Sequence, residues 1–307
     1  VFFFTQTPAY PMLRSLVGSE MCIRDRFWWK ETDIQKNQVL RYDKSDNFWE
    51  MGEVGPCGPC SELHIDLGEG TCPLSGQHEC AVNVEGCWRF VELWNLVFMQ
   101  YQRFPDQHLE PLPAQHVDTG MGLERICRVL QQVDSNYSTD LFVPILGNIS
   151  EVTGTEDKEG EIGVAYRVIA DHLRSLSFAI ADRAIPSNEG RGYVLRRMLR
   201  RATRFGRVLG MEKPFIHQLV GTLSEVMGEA FPELPAQQKH IEKVIESEES
   251  SFGQTLDRGL EIFEQMASSS GTSERGGLSG EDAFKLCLLY TSPSPRDSCA
   301  WGLPGFG

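Results

Sequence analysis

No run of apolar residues in this 307-residue chain approaches the roughly 20 that a membrane-spanning helix needs, and no basic segment followed by a long apolar core opens it. The expectation is a cytoplasmic protein with no membrane partner. Positive charge is also scarce. With 29 Lys and Arg against 43 Asp and Glu, the net charge of −14 excludes blanket attraction to a polyanion and confines any nucleic-acid surface to a local patch. A P-loop pattern and an internal repeat are missing, which argues against the commonest mononucleotide folds. Nine cysteines, an odd number in a chain this large, do not suit a disulfide framework and are read as reduced thiols.

What is present suffices for two domains, since 41% hydrophobic and 10% aromatic residues can bury real cores. The stretch His116–Ile126, HVDTGMGLERI, changes from extended to helical across Gly120 and Gly122. Asp118 would end a strand, and the two glycines let the backbone pass close to a bound molecule. Leu123, Ile126, Leu130 and Val133 recur at helical spacing, so Glu124 and Arg125 fall in the first turn, where exposed N–H groups and the helix dipole favour an anion such as phosphate.

Arg89–Tyr101 alternates cleanly, with Val91, Leu93, Asn95, Val97, Met99 and Tyr101 on one face and apolar groups on the other as well, which predicts a central strand. Asn95 is then a polar group in an apolar row that must find partners, either neighbouring backbone or a ligand. Asn47–Glu62, NFWEMGEVGPCGPCSE, holds so much Gly and Pro that it reads as loop rather than helix or central strand. Cys57 and Cys60 form a CxxC there. Beyond it, Cys72, His78, Cys80 and Cys87 fall within a turn-rich insertion, where four soft ligands could hold Zn2+; free thiols are the alternative.

Gly154–Gly163 is charged and glycine-rich and marks the expected domain boundary; everything after it reads as helix. In Val164–Asp182 the apolar face is Val164, Val168, Ile169, Leu173, Leu176, Ala179 and Ile180. In Tyr193–Leu209, Val194, Leu195, Met198, Leu199 and Ala202 form a stripe whose opposite side is arginine: Arg196, Arg200, Arg204 and Arg207 in one row, Arg197 and Arg201 in the next. From Gly163 to Pro214 eleven Lys or Arg face four Asp or Glu, a local excess that reads as an RNA-backbone surface. The alternative is a basic face pairing with the acidic segment Glu242–Glu249.

VDTGMGLER resembles motif 3 of class II aminoacyl-tRNA synthetases, in the form found in the alanyl-tRNA synthetase family. Five further stretches resemble that family in its order: Asn47–Glu62, VELWNLVFMQY at Val91–Tyr101, YSTDLFVPIL at Tyr137–Leu146, AYRVIADHLRSL at Ala165–Leu176 and PSNEGRGYVLRRMLRRA at Pro186–Ala202. The resemblance runs from about Lys30 to Leu286. It implies an α+β fold: an antiparallel class II sheet with flanking helices, present in part over residues 27–155, then an all-helical tRNA-recognition domain over residues 163–286.

The activity it implies is alanine–tRNA ligation, with alanine, ATP, Mg2+ and tRNA(Ala) as partners. Asp118 would hold the alanine ammonium, Trp49, Asn95, Val97 and Gly120 would shape the pocket, and Gly122, Glu124 and Arg125 would meet ATP. Asn188, Arg191, Arg196, Arg197, Arg200, Arg201 and Arg204 would meet tRNA. GPCGPC would be structural. Residues 1–26 and 287–307 match nothing in the family and read as non-native, since SLVGSEMCIRDR and LLYTSPSPRDS resemble translated sequencing-adapter sequence. Motifs 1 and 2 and an editing domain are not recognised, so the chain by itself is expected to be inactive. Two other readings stay open: a non-catalytic tRNA-binding fragment, and a class II-like amino-acid ligase acting without tRNA, against which the arginine stripe argues.

Overall fold

The computed structural model describes residues 12–16, 28–72, 74, 76, 79–269 and 280. Its class is α+β, and it divides into two compact units, Val1–Asn136 and Tyr137–Gly307. The first holds a sheet of β1 (Met12–Leu16), β2 (Val39–Arg41), β3 (Phe48–Glu50), β4 (Gly55–Asp66), β5 (Phe90–Arg103) and β6 (Leu109–Met121). Their order is β2-β1-β4-β5-β6, with β3 also on β4, and every pair is antiparallel except β1 with β2.

β5 is the central strand that its alternation predicts, paired to β4 on one side and β6 on the other, with Leu93 and Val97 buried. Its neighbour β4 corrects the loop reading of Asn47–Glu62. Gly55–Asp66 is a full strand, and the register irregularity between Cys57 and Cys60 takes up the position where Pro59 lacks an N–H. Gly58 is required there: a Cβ would lie 1.9 Å from the Phe98 carbonyl oxygen, so only glycine lets the strands close. β1 also differs from expectation. Its five residues are too few to show a period, yet they pair with β4 from Met12 opposite Ile65 to Leu16 opposite Ser61.

After β6 the chain turns at Gly122 into α1 (Leu123–Gln131), which packs on β5 and ends at Gln132 in the left-handed conformation. The second unit comprises α2 (Val143–Thr153), α3 (Glu161–Ala181), α4 (Gly190–Val208), α5 (Val220–Met227) and α6 (Glu233–Ser269). The break between units therefore precedes Tyr137 rather than falling at Gly154–Gly163: Phe142, Ile145 and Ile149 bury themselves in the helical core with Tyr166, Ile169, Leu173, Leu199, Leu219 and Ile241. Val164 and Val194 are exposed, so the faces that α3 and α4 bury are narrower than their apolar stripes.

One carboxylate lies inside this helical core. Glu249 on α6 is 2% exposed and accepts hydrogen bonds at 3.1 Å from the backbone N–H groups of Phe215 and Ile216, which open the turn leading into α5. Burial pushes its pKa up to about 7 against the pull of those two donors. Because the folded value lies above the ordinary one, the stability that Glu249 contributes is full below about pH 4.5 and lost as pH rises through about 7, a change on the order of 3 kcal/mol. Glu249→Gln keeps an acceptor but does not titrate. Thermal unfolding between pH 5 and 8 should show wild type losing stability relative to this variant as pH rises, whereas parallel profiles would place the titration elsewhere.

Candidate active site

Strand pairing brings together the residues that the sequence reading assigns to a pocket. Asn95 stands opposite Gly120 and Val97 opposite Asp118 in the β5–β6 register. Directly opposed residues of antiparallel strands share a face, so the amide, the small apolar side chain and the carboxylate project to one side, beside a position with no side chain. An added Cβ on Gly120 would meet nothing within 4 Å, so the space above it is open. Val97 is 7% exposed, whereas Asp118 is exposed and its Oδ1 accepts from the Thr119 N–H at 2.8 Å. Trp49 lies on β3 opposite Gly58, half-buried.

The first turn of α1 begins immediately after this strand end, as the glycine corner predicts. Gly122 is the N-cap, and its N–H donates to the Leu93 carbonyl at 3.2 Å, locking the corner to β5. Glu124 and Arg125 follow. The Arg125 guanidinium reaches back to Glu92 on β5, donating to its carbonyl at 2.9 Å and its carboxylate at 3.0 Å, and stays partly exposed. The corner thus offers a cation and a helix N-terminus together.

The sequence reading missed three residues of this site: Glu92, Glu62 and His64. Glu62 stands opposite Asn95, receives its Nδ2–H at 3.3 Å and meets His64 Nε2 at 3.0 Å. The signal was available in SELHID, where Glu62, His64 and Asp66 alternate as strand residues of one face. Asp66, the third, is tied to Arg89 by two hydrogen bonds of 2.6 Å. Cys57 and Cys60 are buried thiols, and burial pushes Cys60 up to about 11 with Glu62 adding to the effect, which suits packing rather than ligation.

In the insertion, the Sγ atoms of Cys72, Cys80 and Cys87 lie within 4.8 Å of one another. His78 lies outside the described residues. Hydrogen bonding from the Trp88 backbone, opposed by burial and assisted by Leu74, lowers the Cys72 pKa, while burial and the neighbouring thiols push Cys80 up to about 11. Three thiol sulfurs this close together are a donor set that a soft cation could bridge.

α4 divides the arginines in a way the stripe does not show. Arg196 and Arg200 meet one carboxylate, Glu248 on α6, at 2.9 and 3.4 Å, and Arg207 pairs with Asp257 at 2.7 Å. The acid that the helix lacks locally therefore comes from α6, which realises part of the alternative of pairing with Glu242–Glu249. Arg191, Arg197, Arg201 and Arg204 remain exposed; Arg197 lies 5.9 Å from the Tyr193 ring and Arg204 5.6 Å from the Phe205 ring. Asn188 is exposed just before α4 and accepts from Arg196.

The sheet, its acid at a glycine-flanked strand end and the arginine in the following helical turn define a class II synthetase catalytic fold. The family described as tRNA synthetases class II (A) matches residues 20–293, and the chain belongs to it. That match extends past Lys30 and Leu286 on both sides. The alanine–tRNA ligase of Chlorobium luteolum is 54% identical over 273 residues, 87% of this chain and 30% of the relative. Those of Pelotomaculum thermopropionicum and Stenotrophomonas maltophilia are 46% and 50% identical over 87% and 94% of the chain. The chain spans about 30% of the length of these curated relatives.

The split among the arginines is directly measurable. Arg200→Ala leaves Glu248, whose side chain is 11% exposed, with a weakened partner set and should lower stability by about 1–3 kcal/mol in urea unfolding. Arg201→Ala, at an exposed position, should cost less than about 0.5 kcal/mol. Equal costs would mean that the two rows are not distinct.

Proposed function

We propose that this chain is the pocket-bearing and tRNA-contacting part of an alanine–tRNA ligase, which activates alanine with ATP to alanyl-adenylate and passes it to the terminal ribose hydroxyl of tRNA(Ala). The opposed pairs Asn95–Gly120 and Val97–Asp118 carry the reading. Asp118 supplies a carboxylate to the alanine ammonium, Asn95 adds an amide, Val97 limits the side chain and Gly120 leaves room for it. Trp49 walls the same pocket. One methylene is worth only roughly 1–3 kcal/mol in such a pocket, so rejection of smaller or similar amino acids rests elsewhere.

Arg125, with the Gly122 corner and Glu124, takes the ATP phosphates. Moving from Glu92 to a phosphate exchanges one anion for another across the same short reach. Mg2+, when bound with the nucleotide, neutralises phosphate charge; activation otherwise asks the protein for positioning rather than a covalent nucleophile. The exposed Arg191, Arg197, Arg201 and Arg204 hold the tRNA backbone, Arg196 and Arg200 set their frame through Glu248, and Asn188 reads a base edge. Cys72, Cys80 and Cys87 hold one Zn2+ and order an insertion with little core of its own.

Asp118→Asn should weaken L-alanine binding by at least about tenfold, measured calorimetrically, because a desolvated ammonium loses its counter-charge. Unaltered affinity sinks the assignment. Reversing Arg197 and Arg201 to Glu should weaken all tRNAs alike and flatten the dependence of affinity on salt. An unchanged slope would leave these arginines as a solvated face. Elemental analysis of protein reconstituted after chelation should find about one zinc per chain, reduced by Cys80→Ser; content near zero removes the metal from the account.

A further inference from the structure

The turn that carries Asn188 is folded back on the start of α4. The Ser187 N–H donates to the Gly192 carbonyl at 3.0 Å, and Ser187 Oγ donates to the Glu189 carbonyl at 3.0 Å. A Cβ on Gly192 would lie 2.2 Å from Ser187 Oγ and 2.4 Å from the Ile185 carbonyl oxygen, so this closure needs glycine. The backbone of Asn188 is thereby placed, and the rotation of its side-chain amide is left to its neighbours. One of them is Arg196, whose Nη1 donates to Asn188 Oδ1. A guanidinium only donates, so the end of the amide that faces it is the oxygen. Among the described residues Asn188 Nδ2 has no partner, and the residue is exposed. Arg196 is itself held: its Nη2 donates to Glu248 Oε2 at 3.0 Å and its Nε lies 2.9 Å from Glu248 Oε1. Arg200 meets the same carboxylate at 3.4 Å and lies 5.1 Å from the ring of buried Phe252, which steadies Glu248 from a second side.

We infer that Arg196 and Glu248 are positioning residues that occupy the amide oxygen of Asn188 and leave its NH2 group for the RNA, so that Asn188 reads a base edge by donating; this rests on the assignment of Asn188 to the tRNA surface. The base it takes presents an acceptor, a purine N7 or O6 or a pyrimidine carbonyl oxygen. A base that presents an exocyclic amine at the same place sets donor against donor and is refused. An unheld amide lacks this selectivity, because a half-turn about χ2 exchanges its nitrogen for its oxygen and lets it bond either kind of base. Arg196 already faces the carboxylate of Glu248, so its contribution is to the orientation of the amide and not to the attraction of phosphates.

The test uses the 307-residue chain with a tRNA(Ala) transcript and a panel of transcripts that each carry one base-pair replacement, all at one salt concentration. In wild type at least one replacement should weaken binding about tenfold, and Asn188→Ala should erase that difference. Arg196→Lys keeps the charge but has no planar fork to bridge Glu248 and Asn188, so it should cut the difference to about threefold or less while the salt dependence stays as it is. Glu248→Ala removes an anion from a basic surface, which on charge alone would strengthen every transcript alike; here it should cut the difference as well. The Asn188 side-chain amide signals, followed by NMR without RNA and assigned through Asn188→Ala, should shift in both variants. Should Glu248→Ala fail to fold, Arg196→Lys decides alone. Unshifted Asn188 signals, or a difference that survives Arg196→Lys in full, would overturn the inference and leave Asn188 as the base reader. A panel on which wild type and Asn188→Ala discriminate alike would overturn the base-reading assignment itself, and the inference with it.

Discussion

Two-sided pairing of β5 is the constraint on which the pocket depends. On one edge its register with β6 sets Asn95 and Val97 against Gly120 and Asp118; on the other its register with β4 sets Asn95 against Glu62. A slip of one residue would turn every one of these side chains to the opposite face. The register is pinned at several points: Gly58 admits the Phe98 carbonyl, the irregularities at Cys57/Cys60 and Leu63/His64 absorb residues that do not fit a regular ladder, and Gly122 ties the next helix to Leu93. Arg125 is a consequence of the same geometry, because the corner that ends β6 starts α1 within reach of Glu92.

In the helical unit the governing issue is like charge. Seven arginines on α4 repel one another, and the fold relieves only part of that repulsion through Glu248 and Asp257 on α6. The relieved arginines are half-buried and serve the structure; the exposed ones keep their charge at the surface. This explains how a chain of net charge −14 can offer a basic surface. It also ties α6 to the proposed tRNA surface, since Glu248 holds the Arg196 that contacts Asn188.

Legibility in the sequence followed the range of the interaction. The β6–α1 corner and the central position of β5 were readable because alternation, helical period and paired glycines are local signals. β4 was not, since its Gly and Pro are loop formers in isolation and become strand residues only against the irregular stretch of β5. The pairing of Arg196 and Arg200 with Glu248 joins residues about 50 positions apart; sequence could name the acidic segment as an alternative but not which arginines it would take. Glu62 and His64 were overlooked although their alternation put them on one face, because nothing local says that Asn95 stands opposite. The roles of Asp118, Asn95 and Arg125 came from family resemblance, which the match over residues 20–293 supports at the level of the family.

The central claim is that Asp118 receives an amino-acid ammonium beside Asn95, Val97 and Gly120. A crystal structure of the chain with a non-hydrolysable alanyl-adenylate analogue tests it most directly. The account predicts the ammonium within hydrogen-bond distance of an Asp118 carboxylate oxygen, with the alanine methyl on Val97 and the phosphate mimic towards Arg125. A ligand bound elsewhere, or one whose ammonium does not contact Asp118, would contradict it.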